Sequence, residues 1–212
     1  MNKPILWSST FTAGTLAHLA VAEAEADYDI RFMSLKKGDH KQPEFLAINP
    51  KAQVPALQIA PGQVITETPA ILTYIARTHP RSGLPPGDAY GEARVLEWLV
   101  WGSLQFTAVF QTVSAPSRFT NDPAGEEAVR ARGRERAADA FDGANAALLR
   151  GDVPLGTAGG VTLAELQFFF LVMGAGFMKF DLTPYPALVA HRARIAERPR
   201  AAAALARERA QG

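Results

Sequence analysis

The chain of 212 residues contains no cysteine. That excludes disulfide staples, a cysteine nucleophile and a cysteine zinc site, so any thiol chemistry must use a thiol that a ligand brings. A dominant charge is also lacking: 22 Lys plus Arg stand against 21 Asp plus Glu, a net charge of +1. Such a balance gives no general electrostatic pull toward nucleic acid or an anionic membrane, and neither is expected as a partner. The four histidines, His18, His40, His79 and His191, show no H-x-x-x-H spacing, and no metal site is expected from them. No apolar run is long. Phe168 to Met178 is the most apolar stretch, yet it falls short of the roughly 20 residues that span a bilayer, and Glu165, Gln167 and Lys179 flank it. It reads as a buried core helix. Trp7-Ser8-Ser9-Thr10 interrupts the apolar start before a signal-peptide core can form, so the expected location is cytoplasmic.

Hydrophobic residues make up 48% of the chain and charged residues 20%, the balance of an ordinary globular protein. The length exceeds the usual single-domain size, and two small domains sharing a core are expected. The first part alternates periods. Pro4 to Trp7 is strand-like, and Thr12 to Ala26 is helical with Leu16, Leu19, Ala20 and Val21 on one face. Tyr28 to Leu35 alternates Tyr28, Ile30 and Phe32 with polar positions, which suits a half-buried strand. Two short strands, Gln53 to Ile59 and Gln63 to Thr66, surround the turn Ala60-Pro61-Gly62. Pro69 to Arg77 closes the unit as a helix, with Thr68 read as its N-cap and Pro69 as its first residue. The stretch from Thr78 to Gly87 is rich in proline and glycine, and only helical patterns follow it. Domain boundaries of 1–78 and 88–212 are expected on these grounds, the second domain all-helical. In it, Tyr90 to Val113 and Glu126 to Leu149 are long helical candidates. Thr162-Leu163-Ala164-Glu165 has the spacing of a capping box ahead of the apolar run. Gly174-Ala175-Gly176 lies inside that run and follows no strand, so it reads as a place of close helix packing and not as a nucleotide loop.

The most specific signal is Asn49-Pro50-Lys51-Ala52-Gln53-Val54-Pro55-Ala56-Leu57, followed by Glu67-Thr68 and the helical pattern Ala70-Ile71-Leu72-Thr73-Tyr74-Ile75. This pairing resembles the glutathione-binding half of the cytosolic glutathione transferases. With Trp7-Ser8-Ser9 and His18-Leu19-Ala20 it most resembles the bacterial beta-class members, and the resemblance runs from about residue 4 to residue 204. It implies an α/β thioredoxin-like N-terminal domain with a mixed four-stranded sheet, joined to an all-α C-terminal bundle. It also implies a cis bond before Pro55 and main-chain pairing of Val54 with the cysteinyl unit of glutathione. Glu67 and Thr68 would hold the γ-glutamyl zwitterion at a helix N-terminus. Lys51 and Gln53 are implied at the glycyl end, with His40, Lys36 and Lys37 as further candidates; each also suits an ordinary solvated loop.

Two departures from the beta class stand out. The alignment places Ala13 where those enzymes carry cysteine, which removes mixed-disulfide chemistry, and the histidine of their fourth helix is absent between Glu97-Trp98-Leu99 and Phe106-Thr107. The remaining donors to a glutathione sulfur are the hydroxyls of Ser9, Thr10 and Thr12, with Ser9 placed first. Helix capping is the plain alternative for Thr10 and Thr12. Phe11, Trp101, Phe106 and Phe110 are candidates for the wall of a hydrophobic-substrate pocket, although aromatics at helical spacing also suit a core. The resemblance therefore implies a homodimeric glutathione transferase, with glutathione as cosubstrate, no metal, and a small hydrophobic electrophile or a peroxide as second substrate. A non-catalytic glutathione-binding or protein-interaction module and a glutathione-dependent isomerase or lyase are the alternatives.

Overall fold

The computed structural model describes residues 3–84, 87–156 and 160–211, with the backbone alone at 106–108. Strand β1 (Ile5–Ser8) alternates as a one-faced strand must, Leu6 and Ser8 being buried and Ile5 and Trp7 partly exposed. Helix α1 (Ala13–Glu23) carries the chain over one face of the sheet to β2 (Asp29–Phe32), which pairs parallel to β1 from Ile5↔Asp29 to Ser8↔Phe32. The extended pattern from Tyr28 to Leu35 is longer than the strand it forms, because β1 offers only four residues to pair with. A short helix α2 (Pro43–Leu46) precedes β3 (Ala56–Ala60) and β4 (Gln63–Thr66), an antiparallel hairpin whose turn uses Gly62 at φ 76°. β3 also pairs antiparallel with β1, and the sheet order is β2-β1-β3-β4. Helix α3 (Thr68–Thr78) completes this half. This is the mixed four-stranded, thioredoxin-like sheet expected.

One expected detail is corrected. The N-cap of α3 is Glu67, without a side-chain capping bond, and Thr68 is already helical. Pro69 still falls in the first turn, where its missing N–H has no helical partner to lose.

The second half is helical among the described residues: α4 (Ala89–Ser114), α5 (Glu126–Arg150), α6 (Leu163–Phe177), α7 (Pro186–Ala196) and α8 (Pro199–Arg209). The capping box is present, Glu165 N–H donating to Thr162 Oγ1 at 3.2 Å and Thr162 N–H to Glu165 Oε2 at 2.9 Å. Apolar on nearly every face, α6 is the buried central helix. One continuous core joins the halves, from Leu6, Leu16 and Ile71 to Leu99, Phe141, Phe168 and Leu188. Among the described residues no helix is long and apolar enough to cross a membrane.

Close helix approach occurs away from Gly176, where an added Cβ would meet nothing within 4 Å. It occurs at Gly102, against Gln167, and at Gly133, where a Cβ would stand 2.4 Å from Thr112 Oγ1 and 3.0 Å from Val113 Cγ2. Gly133→Ala should therefore destabilise the protein by about 1–3 kcal/mol through overpacking of α5 on α4. Gly143→Ala, on the same helix facing open space, should stabilise it by about 0.4–1 kcal/mol. Thermal melts of the two variants should move in opposite directions.

Candidate functional site

Strand register brings three separate parts of the chain to one end of the sheet. Trp7 pairs with Ala56, and Ala56 pairs with Thr66 on its other side. The residues just beyond these pairs are Ser9-Thr10 after β1, Val54-Pro55 before β3 and Glu67-Thr68 after β4. All of them therefore leave the sheet at the same edge.

Ser9 is buried and Thr10 half-buried, and neither hydroxyl has a hydrogen-bond partner among the described residues. Thr12 is different. Its hydroxyl donates to the Ser9 carbonyl at 2.7 Å and accepts the Gly14 N–H at 3.1 Å, so it caps α1. Phe11 sits between them at φ 54°, in the left-handed region that a bulky residue rarely occupies. Its N–H donates to Glu208 Oε2 at 2.9 Å, and its ring lies 5.9 Å from that of Phe177. Ser8, the neighbour of the first candidate, points inward: its Oγ is buried without a partner among the described residues, and a Cβ on Gly14 would stand 2.2 Å from it.

The loop before β3 is organised by Asn49, which is buried. Its Nδ2 donates to the Gln53 carbonyl at 2.7 Å and its Oδ1 accepts the Lys51 N–H at 3.2 Å. Lys51 and Gln53 stay exposed, and the Val54–Pro55 bond is cis, as expected. No backbone hydrogen bond to Val54 occurs among the described residues, so its N–H and C=O are open to an extended partner. Lys51 and Glu67, assigned to opposite ends of a ligand, meet each other: Lys51 Nζ lies 2.7 Å from Glu67 Oε1 and 3.0 Å from Thr66 Oγ1. Both partners are more than half exposed, so this pair is worth about 0–1 kcal/mol and exchanges readily. The Thr68 hydroxyl has no partner among the described residues. His40 lies in a single 3-10 turn, Asp39–Lys41, with its Nδ1 buried and unpaired among the described residues.

The aromatic candidates divide. Phe11 stands at the sheet end, beside Phe177. Trp101 stacks on Phe168 at 6.2 Å and lies edge-on to Trp98 at 5.4 Å, so its ring is packed against the core. Phe110 is half-buried against the same core, and the side chain of Phe106 lies outside the described residues. No group of three or more histidines or carboxylates that would hold a metal occurs among the described residues.

The sequence reading assigned no role to three residues. Asn49 had a signal, since asparagine before Pro-Lys is a turn former. Phe177 had none beyond its apolar helix. Glu208 was hidden in an Ala/Arg-rich tail that reads only as helical or frayed, whereas its carboxylate is fully buried.

Residues 5–77 match the family described as glutathione S-transferase, N-terminal domain. The maleylacetoacetate isomerase of Pseudomonas aeruginosa is 34% identical over 85 residues, covering 39% of this chain and 40% of that protein. In that match the chain spans less than half the relative's length. The glutathione S-transferase GstA of Escherichia coli O157:H7 is 28% identical over 198 residues, 91% of this chain and 92% of that one. A solved glutathione transferase homolog from Sulfitobacter, with bound glutathione, superposes with a TM-score of 0.88 at 25% identity, over 98% of this chain and 99% of that one. The bacterial beta class enzyme of Sphingomonas chungbukensis superposes with a TM-score of 0.81 at 26% identity, over 96% and 98% of the two chains.

Proposed function

We propose that this chain, whose residues 5–77 match the glutathione S-transferase N-terminal domain, is a glutathione transferase that binds glutathione where Ser9, Val54 and Glu67 leave the sheet and transfers the glutathione sulfur to a small hydrophobic electrophile. The observation that carries this reading is the strand register, which draws an open backbone pair at Val54, a carboxylate at Glu67 and free hydroxyls at Ser9 and Thr10 to one edge. An extended peptide pairs with Val54 as an added strand. Its γ-glutamyl carboxylate meets the Thr68 hydroxyl and the unpaired first N–H groups of α3, and its ammonium takes the place of Lys51 on Glu67. Lys51, once released, is free for the glycyl carboxylate beside Gln53, with His40 a further candidate.

The chemistry requires a thiolate. A free cysteine thiol titrates near 8.5, and a hydroxyl that donates to sulfur favours the charged form and lowers that value. Thr12 is occupied in capping, so the role falls to Ser9 first and Thr10 second, helped by the N-terminal dipole of α1. The thiol proton leaves to solvent. The sulfur then forms a bond to the electrophilic carbon as the bond from that carbon to its leaving group breaks, the electron pair departing with the leaving group. Phe11 and Phe177 offer an apolar wall beside the sulfur, with Trp101, Phe106 and Phe110 as the remaining candidates. A cytoplasmic location and a division into domains 1–78 and 88–212 belong to the same reading.

Three measurements test it. Calorimetry should show glutathione binding that Glu67→Ala weakens about tenfold to a hundredfold, the loss of one charge-assisted contact. Ultraviolet difference titration of bound glutathione should show a thiol pKa below the free value, rising toward it in Ser9→Ala while affinity changes little. Turnover of an activated aryl halide should follow the thiolate. Binding with an unshifted thiol and no turnover would mark a non-catalytic module, and no binding at all would overturn the site. The match to an isomerase supports glutathione-dependent isomerisation as a second reading; it is distinguished by conversion of a cis-enone without net consumption of glutathione.

We propose a homodimer as well. Leu96, Val100 and Leu104 are exposed and repeat every four residues along one face of α4, beside a cavity of about 300 Å³ lined by Ala76, Leu84, Val95 and Leu99. A stripe of this kind is covered by its own copy across a two-fold axis. Sedimentation at micromolar concentration should give twice 22.8 kDa, and Val100→Glu should return the monomer.

A further inference from the structure

A fully buried carboxylate from the far end of the chain holds the loop that carries Ser9 and Thr10. Glu208 lies on α8, and its Oε2 accepts both the Phe11 N–H at 2.9 Å and the Thr15 hydroxyl at 2.7 Å. Its Oε1 faces His18 Nδ1 at 3.0 Å, so each oxygen has a donor from the N-terminal half. The contact to Phe11 is the one that bears on function. Phe11 occupies the left-handed region, where the Cβ of a non-glycine residue crowds the following carbonyl oxygen, and its neighbours Ser9 and Thr10 carry the unpaired hydroxyls. A backbone held in a sparsely populated conformation persists only where its surroundings impose it. The ring of Phe11 leans on Phe177, and its N–H is tied to Glu208.

We infer that Glu208 is a positioning residue for thiol activation: through the Phe11 N–H it sets the turn from which the Ser9 or Thr10 hydroxyl reaches the glutathione sulfur. The inference rests on the glutathione-transferase reading above. Glu208 touches neither sulfur nor electrophile in this scheme, and the groups assigned to the rest of glutathione, at Val54, Glu67 and Thr68, lie on other segments. Its loss therefore weakens activation and leaves affinity nearly unchanged. The sign of the effect separates positioning from simple charge. Removing a nearby negative charge lowers a thiol pKa, whereas losing the hydroxyl donor raises it.

The test compares Glu208→Ala, Glu208→Gln and Thr15→Val in the full-length protein, with glutathione as the ligand. Glutamine can keep all three contacts: its carbonyl accepts from Phe11 and Thr15, and its amide donates to His18 in the opposite tautomer. Glu208→Ala is expected to raise the pKa of the bound thiol by about one unit, a tenfold loss of thiolate below that pKa. Its kcat should fall with it, while the glutathione Kd stays within about twofold. Glu208→Gln should restore the wild-type thiol pKa. Thr15→Val, which removes the neighbouring donor and spares the Phe11 contact, should melt at lower temperature without moving the thiol pKa.

Amide hydrogen exchange at Phe11, read without ligand, is the independent measure. Exchange should be slow in wild type and Glu208→Gln and at least tenfold faster in Glu208→Ala. If Glu208→Ala does not fold, Glu208→Asp takes its place, since a side chain one methylene shorter cannot hold both Phe11 and His18. A thiol pKa that stays put or falls in the folded variant overturns the inference, as does unchanged Phe11 exchange. A wild-type protein that fails to shift the thiol would sink the activation reading, and Glu208 would then be judged on Phe11 exchange alone, by the same two outcomes.

Discussion

Removing the Glu165 carboxylate should be among the most destabilising truncations on α6. This side chain is fully buried, and its two oxygens serve three donors. Oε2 accepts the Thr162 N–H at 2.9 Å and the Gly156 N–H at 2.7 Å, while Oε1 pairs with the Arg194 guanidinium on α7. Glu165→Ala strands two buried backbone donors and undoes the capping box, together about 3–5 kcal/mol at roughly 1–3 kcal/mol for each donor left unsatisfied, while Arg194, nearly half exposed, turns to water. For a chain of this size that corresponds to a fall in Tm of roughly 6–20 °C, at about 2–4 °C per kcal/mol. Differential scanning calorimetry should show it, with a smaller loss in Glu165→Gln, whose carbonyl still accepts from the backbone.

The same cluster gives the melt a pH dependence. His191 donates from Nε2 to the Glu165 carbonyl at 2.9 Å, and its Nδ1 accepts from Arg194 at 3.1 Å, an arrangement that suits the neutral ring. Burial pushes the imidazole below its usual value; the bond to the Glu165 carbonyl works against that shift, and the Arg194 charge adds to it. The folded state thus binds fewer protons than the unfolded one just below about pH 6.5, the ordinary histidine value. Stability contributed above that pH is lost as the pH falls through it. The fall should be shallower in His191→Gln.

Breaking the ion pair between Glu23 and Arg198 should be nearly as damaging. Glu23 ends α1 and is 2% exposed, and Arg198, the residue before α8, grips it with Nε at 3.0 Å from Oε1 and Nη2 at 2.8 Å from Oε2. Arg198→Met leaves the carboxylate buried without its cation, and about 3–5 kcal/mol should be lost. Glu23→Leu combined with Arg198→Met should recover most of that loss, because an apolar pair of similar bulk carries no unpaid charge. A double-mutant cycle by urea denaturation measures the coupling. Additive losses would show that the two residues act separately. The consequence is architectural: this pair and Glu208 both tie α1 to α8, so the docking of the last helix and the shape of the first loop depend on each other.

Local rules carry a long way in this chain. Alternation placed β2, the Pro61-Gly62 turn placed the hairpin, the 3.6-residue period placed α4 and α5, and Thr162-x-x-Glu165 placed the start of α6. Each of these is decided within a few residues of itself by backbone sterics, capping or periodic burial. The run Gln53-Val54-Pro55 with Glu67-Thr68 likewise carried the resemblance to the N-terminal domain of the glutathione S-transferases and the cis bond at Val54–Pro55. Only the tertiary structure decided the rest. Thr12 became a cap and left Ser9 and Thr10 open, Lys51 turned to Glu67, Trp101 packed into the core, and the tail glutamate Glu208 was drawn into the protein beside Phe11. These outcomes rest on contacts between residues as far apart as Phe11 and Glu208. No periodicity or propensity encodes such a pairing, since it exists only once the sheet and the helical bundle have packed on one another and taken both groups out of water.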